Sequence, residues 1–294
     1  MTQTDVLIIG AGPAGVQAAI HAARKKVSVL LVGKPSNSAM SGTHIENYFG
    51  VFGTVEGDAM LSTGLEQARS FGCRILEENI TSSSRDGNGF ILTTENDETI
   101  EAKAVIIATG ISRKRLGVPG EKELFAKGVS YCASCDCNFY KGKVVTIIGD
   151  ETEAAVSAEL MTRYATKVYW IVGDIAASDN VVNKAKAAGV QIIKGKAESI
   201  NGDGRVSSIT VSGETIPTDG VFIELGAKSA ADLAMDMDVM PEMDDSIKVK
   251  EDCSTEVPGV FACGDITGKP WQVAKAVGQG AVAGISAADY VKGL

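Results

Sequence analysis

The sequence predicts an α/β fold of two Rossmann-like dinucleotide-binding-type domains, each a three-layer ββα arrangement, with the second inserted in the first. Three observations carry this. An apolar run ending in Gly-x-Gly-x-x-Gly opens the chain, and it is followed by helix-forming spacing and a second apolar run. The same succession starts again at Val144. The 33 glycines fall at the ends of apparent strands rather than in tracts, as many tight βα turns require.

In chain order, residues 5–10 (DVLIIG) form a short apolar β-run, Ala14 to Ala23 take helical spacing, and Val27 to Val32 supply the next strand. Residues 90–110 read as strands ending in VIIATG. The second βαβ unit runs from VVTIIG at Val144 through a helix near Glu153–Tyr164 to the strand Val168–Val172. Residues 205–223 read as strands with a turn at Gly213 and a run from Ile216 to Ile223, and the Gly/Ala-rich tail reads as a helix from Gln272 to Val291. Glycine, proline and charge clusters set domain boundaries near 113–116 and 241–246. This gives one discontinuous domain, 1–114 with 245–294, and an inserted domain, 115–244.

Composition narrows the function classes. With 294 residues, 45 % of them hydrophobic, the chain can bury a large core. A net charge of −9 opposes nucleic-acid binding, which needs a basic face. No run of about 18 apolar residues occurs, so no membrane span is expected. The N-terminus lacks a basic n-region and a cleavage site, which points to a cytoplasmic protein. Six cysteines, at 73, 132, 135, 137, 253 and 263, are too few and too uneven for a secreted disulfide framework. In a reducing compartment, close cysteines indicate redox work or metal binding.

Gly10, Gly12 and Gly15, with Pro13 and Ala14 between them, follow a strand and open a helix, the context a dinucleotide fingerprint requires. The first glycine permits the tight turn, the second lets a pyrophosphate approach the backbone, and the third packs the helix onto the strand. The acid expected about 20 residues on, where it would bind a ribose, is absent. Gly33 stands there.

Cys132-Ala133-Ser134-Cys135, followed by Asp136, is dithiol chemistry in outline: the pair can close a small ring, and whichever thiolate its neighbours stabilise becomes the attacking sulfur. Cys137 extends the motif to C-x-x-C-x-C, which could also supply metal ligands. No second C-x-x-C or nearby histidine completes such a set, since His21 and His44 are the only histidines. No metal is expected.

With GAGPAG at 10–15, IENYFG at 45–50, IIATG at 106–110, YCASCD at 131–136, CGDITG at 263–268 and WQVAKAVGQG at 271–280, nearly the whole chain resembles the low-molecular-weight thioredoxin reductases. The resemblance implies an FAD domain built from the first and last segments and a middle domain that presents the C-x-x-C to the flavin and then to thioredoxin. It implies FAD contacts from Gly10, Gly12, Gly15, Asn47, Thr109, Asp265, Gln272 and Val273, with Pro13, Ala14, Gly110 and Gly264 in the same motifs; Trp271 stands where NADPH-dependent relatives carry an arginine, and it reads either as an indole stacked on the flavin or as ordinary core packing at a helix start. It also implies that Cys135 faces the flavin, that Cys132 attacks the partner, that Asp136 donates a proton, and that the protein is a homodimer. The proton role is chemically sound for Asp136, the carboxyl next to the pair, although an Asx turn would also explain an aspartate there.

Where an NADPH-using relative would show G-x-G-x-x-A, the chain reads Gly149-Asp150-Glu151-Thr152-Glu153-Ala154. Glu151 replaces the glycine that would touch pyrophosphate. A phosphate about 4 Å from any of these carboxylates would meet repulsion of about 4 kcal/mol at an effective dielectric near 20. The following strand leads into WIVGDIAASDN, with no basic residue for a 2′-phosphate. These losses resemble the pyridine-nucleotide-independent branch, which takes electrons from ferredoxin or a reduced deazaflavin. Ferredoxin is the preferred donor, with Arg113, Lys114, Arg115, Lys122, Lys127, Lys141 and Lys143 as a candidate steering patch. The alternatives are an NADPH- or deazaflavin-dependent thioredoxin reductase and a non-enzymatic flavin redox sensor.

Overall fold

The computed structural model describes residues 1–87, 89–111, 115–226, 230–242 and 244–294. The chain divides into two compact units, residues 1–111 with 229–294, and residues 112–228.

In the discontinuous unit, strands Arg74–Leu76, Val29–Val32, Thr2–Ile9 and Thr99–Ile107 lie side by side in parallel. Val260–Ala262 joins the C-terminal part of Thr99–Ile107, again in parallel. Antiparallel strands Gly89–Thr94 and Ile80–Asp86 extend the sheet. Alternation along the central strand splits it between two cores. Val6 and Ile8 pack with residues of the helices Pro13–Arg24, Gly57–Ser70 and Val273–Lys292, whereas Leu7 and Ile9 pack with Leu92, Ile100, Leu233 and Met237. Burial on both faces explains why these strands read as unbroken apolar runs.

The small residues of the tail have a packing reason. A Cβ on Gly280 or Gly284 would run into the carbonyl oxygens of Ala14 or Ala18. The last helix therefore lies against the first at backbone distance, which offsets the roughly 1 kcal/mol that each mid-helix glycine costs relative to alanine.

The second unit has a five-stranded parallel sheet, in the order Gln191–Lys194, Lys167–Val172, Val144–Ile148, Gly220–Ile223, Val129–Ser130. One face packs with residues of the helices Thr152–Met161 and Asp179–Ala187, around the fully buried Trp170. The other packs with the antiparallel strands Ala197–Asn201, Ser208–Val211 and Glu214–Pro217. The apolar run Ile216–Ile223 divides at Thr218, whose hydroxyl donates to the Val144 and Gly220 carbonyls at 3.2 and 2.9 Å.

One boundary differs from expectation. The return to the first unit falls near residue 229 rather than 245, because Leu233, Ala234, Met237 and Val239 are buried with Leu7, Ile9 and Val105 of the first sheet. Among the described residues, no helix is long and apolar enough to cross a membrane.

Candidate active site

In the first unit the glycine loop follows the strand Thr2–Ile9 directly. Gly10 has φ of +113°, and a Cβ there would lie 2.7 Å from the Ala108 carbonyl carbon. A Cβ on Gly15 would strike the Gly10 carbonyl oxygen. Among the described residues, the only near neighbour of a Cβ on Gly12 would be Ser38 Oγ, at 3.4 Å, so the loop leaves room for a ligand where a pyrophosphate would approach. Pro13 begins the helix and Gly12 caps it without a side-chain hydrogen bond, leaving the helical N–H groups for an anion. Gly33 explains the missing acid: a Cβ at this place would lie 2.7 Å from the Ala11 amide nitrogen.

Other candidate residues gather on the same unit. Thr109 and Gly110 follow the strand Thr99–Ile107, and a Cβ on Gly264 would lie 2.7 Å from that of Ala14. Asp265 opens a short 3₁₀ turn, and its Oδ1 is buried without a hydrogen-bond partner among the described residues. Asn47 Nδ2 donates to Gln272 Oε1 at 3.1 Å, and Val273 begins the last helix. Trp271 is 50 % exposed, with the Lys269 ammonium 5.2 Å from its ring centroid, so ordinary core packing does not describe it. Open space over Gly12, uncapped N–H groups and an orphaned buried acceptor are what a flavin dinucleotide requires.

Sequence reasoning missed Lys275. Its ammonium donates to the Gly264 and Gly268 carbonyls, each at 2.7 Å, and to Thr267 Oγ1 at 2.9 Å, tying down the CGDITG turn. Burial pushes its pKa down and Asp265 pulls it back, while burial raises the Asp265 carboxyl against the pull of Lys275. The sequence signal was a lysine in the Gly/Ala-rich first half of the last helix.

In the second unit, the strand Val129–Ser130 delivers the cysteine motif. Cys132 is extended and a four-residue helical turn, Ala133–Asp136, follows it. The two sulfurs, Cys132 and Cys135, are bonded to each other. Cys132 is half-buried and Cys135 exposed. Ser130 Oγ accepts from the Cys132 N–H at 3.1 Å, and the Asp136 N–H donates to the Cys132 carbonyl at 3.3 Å, which closes the backbone turn around the pair. Cys137 points elsewhere: it is buried, with Sγ 3.4 Å from the Ser134 carbonyl. Burial pushes the Cys73 and Cys253 thiols up to about 11 and raises Cys263, so these three are poor nucleophiles.

The turn is held by two acids that sequence reasoning did not select. Glu121 accepts from Tyr131 Oη at 2.6 Å, from the Leu116 N–H at 3.0 Å and from the Gly117 N–H at 2.6 Å. Burial works to raise its carboxyl, but the hydrogen bonds, led by Tyr131, outweigh that and hold it below the usual carboxylate range. Glu224 accepts from the Ala133 N–H at 2.9 Å, inside the cysteine motif itself. A carboxylate ending the apolar run VFIEL was the available signal for Glu224.

The second glycine loop binds itself. Asp150 Oδ1 accepts from the Gly173 N–H at 2.7 Å, and the Asp150 carbonyl accepts from Ala176 and Ala177 at 2.7 and 3.2 Å. The Glu153 N–H donates to the Gly226 carbonyl at 3.3 Å, and the buried Trp170 indole donates to the Gly149 carbonyl at 2.7 Å. Asp174, past the next strand, pairs with Lys194 at 2.9 Å. Of the candidate steering residues, Arg115, Lys122, Lys127 and Lys141 are exposed, and Lys143 is half-buried with its ammonium 5.3 Å from the Tyr140 ring centroid. Arg113 and Lys114 lie outside the described residues.

A family model described as pyridine nucleotide-disulphide oxidoreductase matches residues 4–280. A thioredoxin reductase of Listeria monocytogenes is 34 % identical over 304 residues, covering 99 % of this chain and 94 % of that protein. Among solved structures, the atypical thioredoxin reductase TRi from Desulfovibrio vulgaris Hildenborough matches with a TM-score of 0.84 at 34 % identity, over 99 % of this chain and 98 % of that one. A ferredoxin-flavin thioredoxin reductase from Clostridium acetobutylicum matches with a TM-score of 0.71 at 32 % identity, over 100 % of both chains.

Proposed function

Because the chain belongs to the pyridine nucleotide-disulphide oxidoreductase family, among the FAD-carrying thioredoxin reductases, we propose that it reduces thioredoxin with electrons from ferredoxin rather than from NADPH. Bound FAD supplies the store that collects single electrons and delivers them in pairs. The Gly10–Gly15 loop would hold its diphosphate on uncapped helical N–H groups, and Asp265, Asn47 and Gln272 would complete the cradle.

Two electrons and two protons convert the Cys132–Cys135 disulfide to two thiols. Cys132 gives up its proton to Asp136 and attacks the thioredoxin disulfide as the thiolate, forming a mixed disulfide and expelling one partner thiolate, to which Asp136 passes that proton. Cys135 then attacks Cys132, releasing dithiol thioredoxin and restoring the internal disulfide.

One observation carries the choice of donor: the Asp150 carboxylate occupies the Gly173 N–H and lies at the loop where a nucleotide diphosphate would have to rest. The likeness to a ferredoxin-linked structure supports the same reading. The comparable identity to a protein named simply thioredoxin reductase favours NADPH as the second reading. The decisive experiment mixes the yellow protein anaerobically with NADPH, reduced ferredoxin and reduced deazaflavin in turn and follows flavin bleaching. Bleaching by ferredoxin with turnover of thioredoxin supports the proposal; rapid bleaching by NADPH overturns the donor, and stoichiometric reduction without turnover indicates a redox sensor. A homodimer in the reducing cytoplasm, as the resemblance implies, completes the proposal.

A further inference from the structure

Glu224 stands at the end of the strand Gly220–Ile223, in a run that is otherwise apolar, and it is 6 % exposed. Burying a carboxylate is unfavourable unless hydrogen bonds and charge partners compensate. The backbone of this residue is committed to the sheet and the second glycine loop. Its N–H donates to the Ile148 carbonyl at 2.8 Å, and its own carbonyl lies where a Cβ on Gly149 would collide. The side chain alone reaches out of the strand. Its Oε1 accepts from the Ala133 N–H at 2.9 Å and from Ser157 Oγ at 3.3 Å, on the helix Thr152–Met161. The strand end, the helix and the cysteine turn therefore converge on one carboxylate.

We propose that Glu224 is a positioning residue that tunes the redox pair: its buried carboxylate takes the first N–H after Cys132 and, by placing negative charge beside the turn, keeps the Cys132/Cys135 dithiol a strong reductant. The inference rests on the proposed cycling of that pair. The couple is one disulfide plus two electrons and two protons giving two thiols. A thiolate is stabilised by neighbouring positive charge and by hydrogen-bond donors, and it is destabilised by a neighbouring anion. A dithiol whose thiolate is stabilised makes its disulfide easier to reduce and so more oxidising. An anion that also occupies a nearby N–H acts in the opposite direction: it disfavours the thiolate, lowers the potential and favours onward transfer to a partner disulfide. Glu224 belongs to the same segment that buttresses Gly149, so the arrangement links the altered nucleotide loop to the redox turn through one residue.

The test compares flavin-loaded wild type with Glu224→Gln and Glu224→Ala. Each is equilibrated anaerobically in buffers of defined reduced-to-oxidised dithiothreitol ratio. Free thiols are then trapped by alkylation and counted by mass spectrometry on the segment carrying Cys132 and Cys135. Resistance of the unit 112–228 to limited proteolysis, equal to that of wild type, reports that the mutated unit is folded. Gln keeps the shape and an acceptor for the Ala133 N–H but removes the charge. The expected result is a shift towards the dithiol of tenfold or more in equilibrium constant in E224Q, equal to about 30 mV for a two-electron couple, with faster alkylation at neutral pH. If E224Q matches wild type while E224A alone differs, Glu224 is only a hydrogen-bond acceptor and the tuning role is overturned. A shift towards the disulfide overturns it equally. Should no protein, wild type included, show a disulfide–dithiol transition, the redox function itself fails, which is a distinct outcome.

Discussion

Asn47 and Gln272 stand 225 residues apart and meet side chain to side chain, Nδ2 donating to Oε1 at 3.1 Å. Asn47 is exposed and Gln272 immediately precedes the last helix, so the bond joins the two halves of the discontinuous unit at the proposed flavin cradle. Each residue orients the other before any ligand arrives. Asn47→Ala should weaken FAD binding by about fivefold, the equivalent of about 1 kcal/mol for one hydrogen bond. Titration of the apoprotein by flavin fluorescence measures this, and an unchanged dissociation constant removes Asn47 from the cradle.

Cys135→Ser should abolish thioredoxin reduction and leave FAD bound, because the internal disulfide cannot form without it. Cys137→Ser should retain most activity, since that thiol is buried beside the Ser134 carbonyl and takes no part in the bond. The reverse pattern in a turnover assay would show that the wrong pair had been identified.

NADPH should reduce the flavin at least a hundredfold more slowly than reduced ferredoxin does, given about 4 kcal/mol of repulsion from a carboxylate about 4 Å from a phosphate. Stopped-flow bleaching by micromolar NADPH at a rate comparable to ferredoxin would refute this.

Trp271 should quench flavin emission if its half-exposed indole lies on the isoalloxazine, where it would cover the ring face that a nicotinamide needs. Trp271→Ala is then expected to raise emission severalfold with FAD still bound. Unchanged emission would leave the indole paired only with Lys269.

Glu121 carries a pH signature. Its carboxyl titrates below the ordinary value in the folded protein, where hydrogen bonds led by Tyr131 outweigh burial. The stabilisation is therefore fully present above the ordinary carboxylate value and disappears as the pH falls through the lower folded-state value. Glu121→Gln should destabilise the protein by about 2 kcal/mol at neutral pH, the usual worth of hydrogen bonds to a buried charged group. Urea unfolding across the acid range should show the gap between wild type and variant closing below about pH 4. A gap that stays constant with pH would mean that the charge on Glu121 contributes nothing.

Local patterns carried much of this molecule. The apolar runs at 5–10 and 144–149, the glycine spacing at 10, 12 and 15 and the C-x-x-C at 132–135 each act within a few residues, through strand burial, turn geometry and ring closure. For that reason the sequence by itself determined the α/β class, the doubled βαβ plan, the redox pair and the carboxylate-filled second loop. Tertiary structure decided the partners of the polar side chains. Asp150 closing on Gly173, Lys275 clasping the Gly264–Gly268 turn and Glu224 reaching Ala133 from 91 residues away are not periodic, and no spacing announces them. It also decided the second domain boundary, because Leu233 and Met237 read as apolar wherever they pack and only the sheet they cover assigns them. Hydrophobic burial repeats along the chain and is legible there, whereas a buried charge is satisfied by whichever donor the fold brings within about 3 Å.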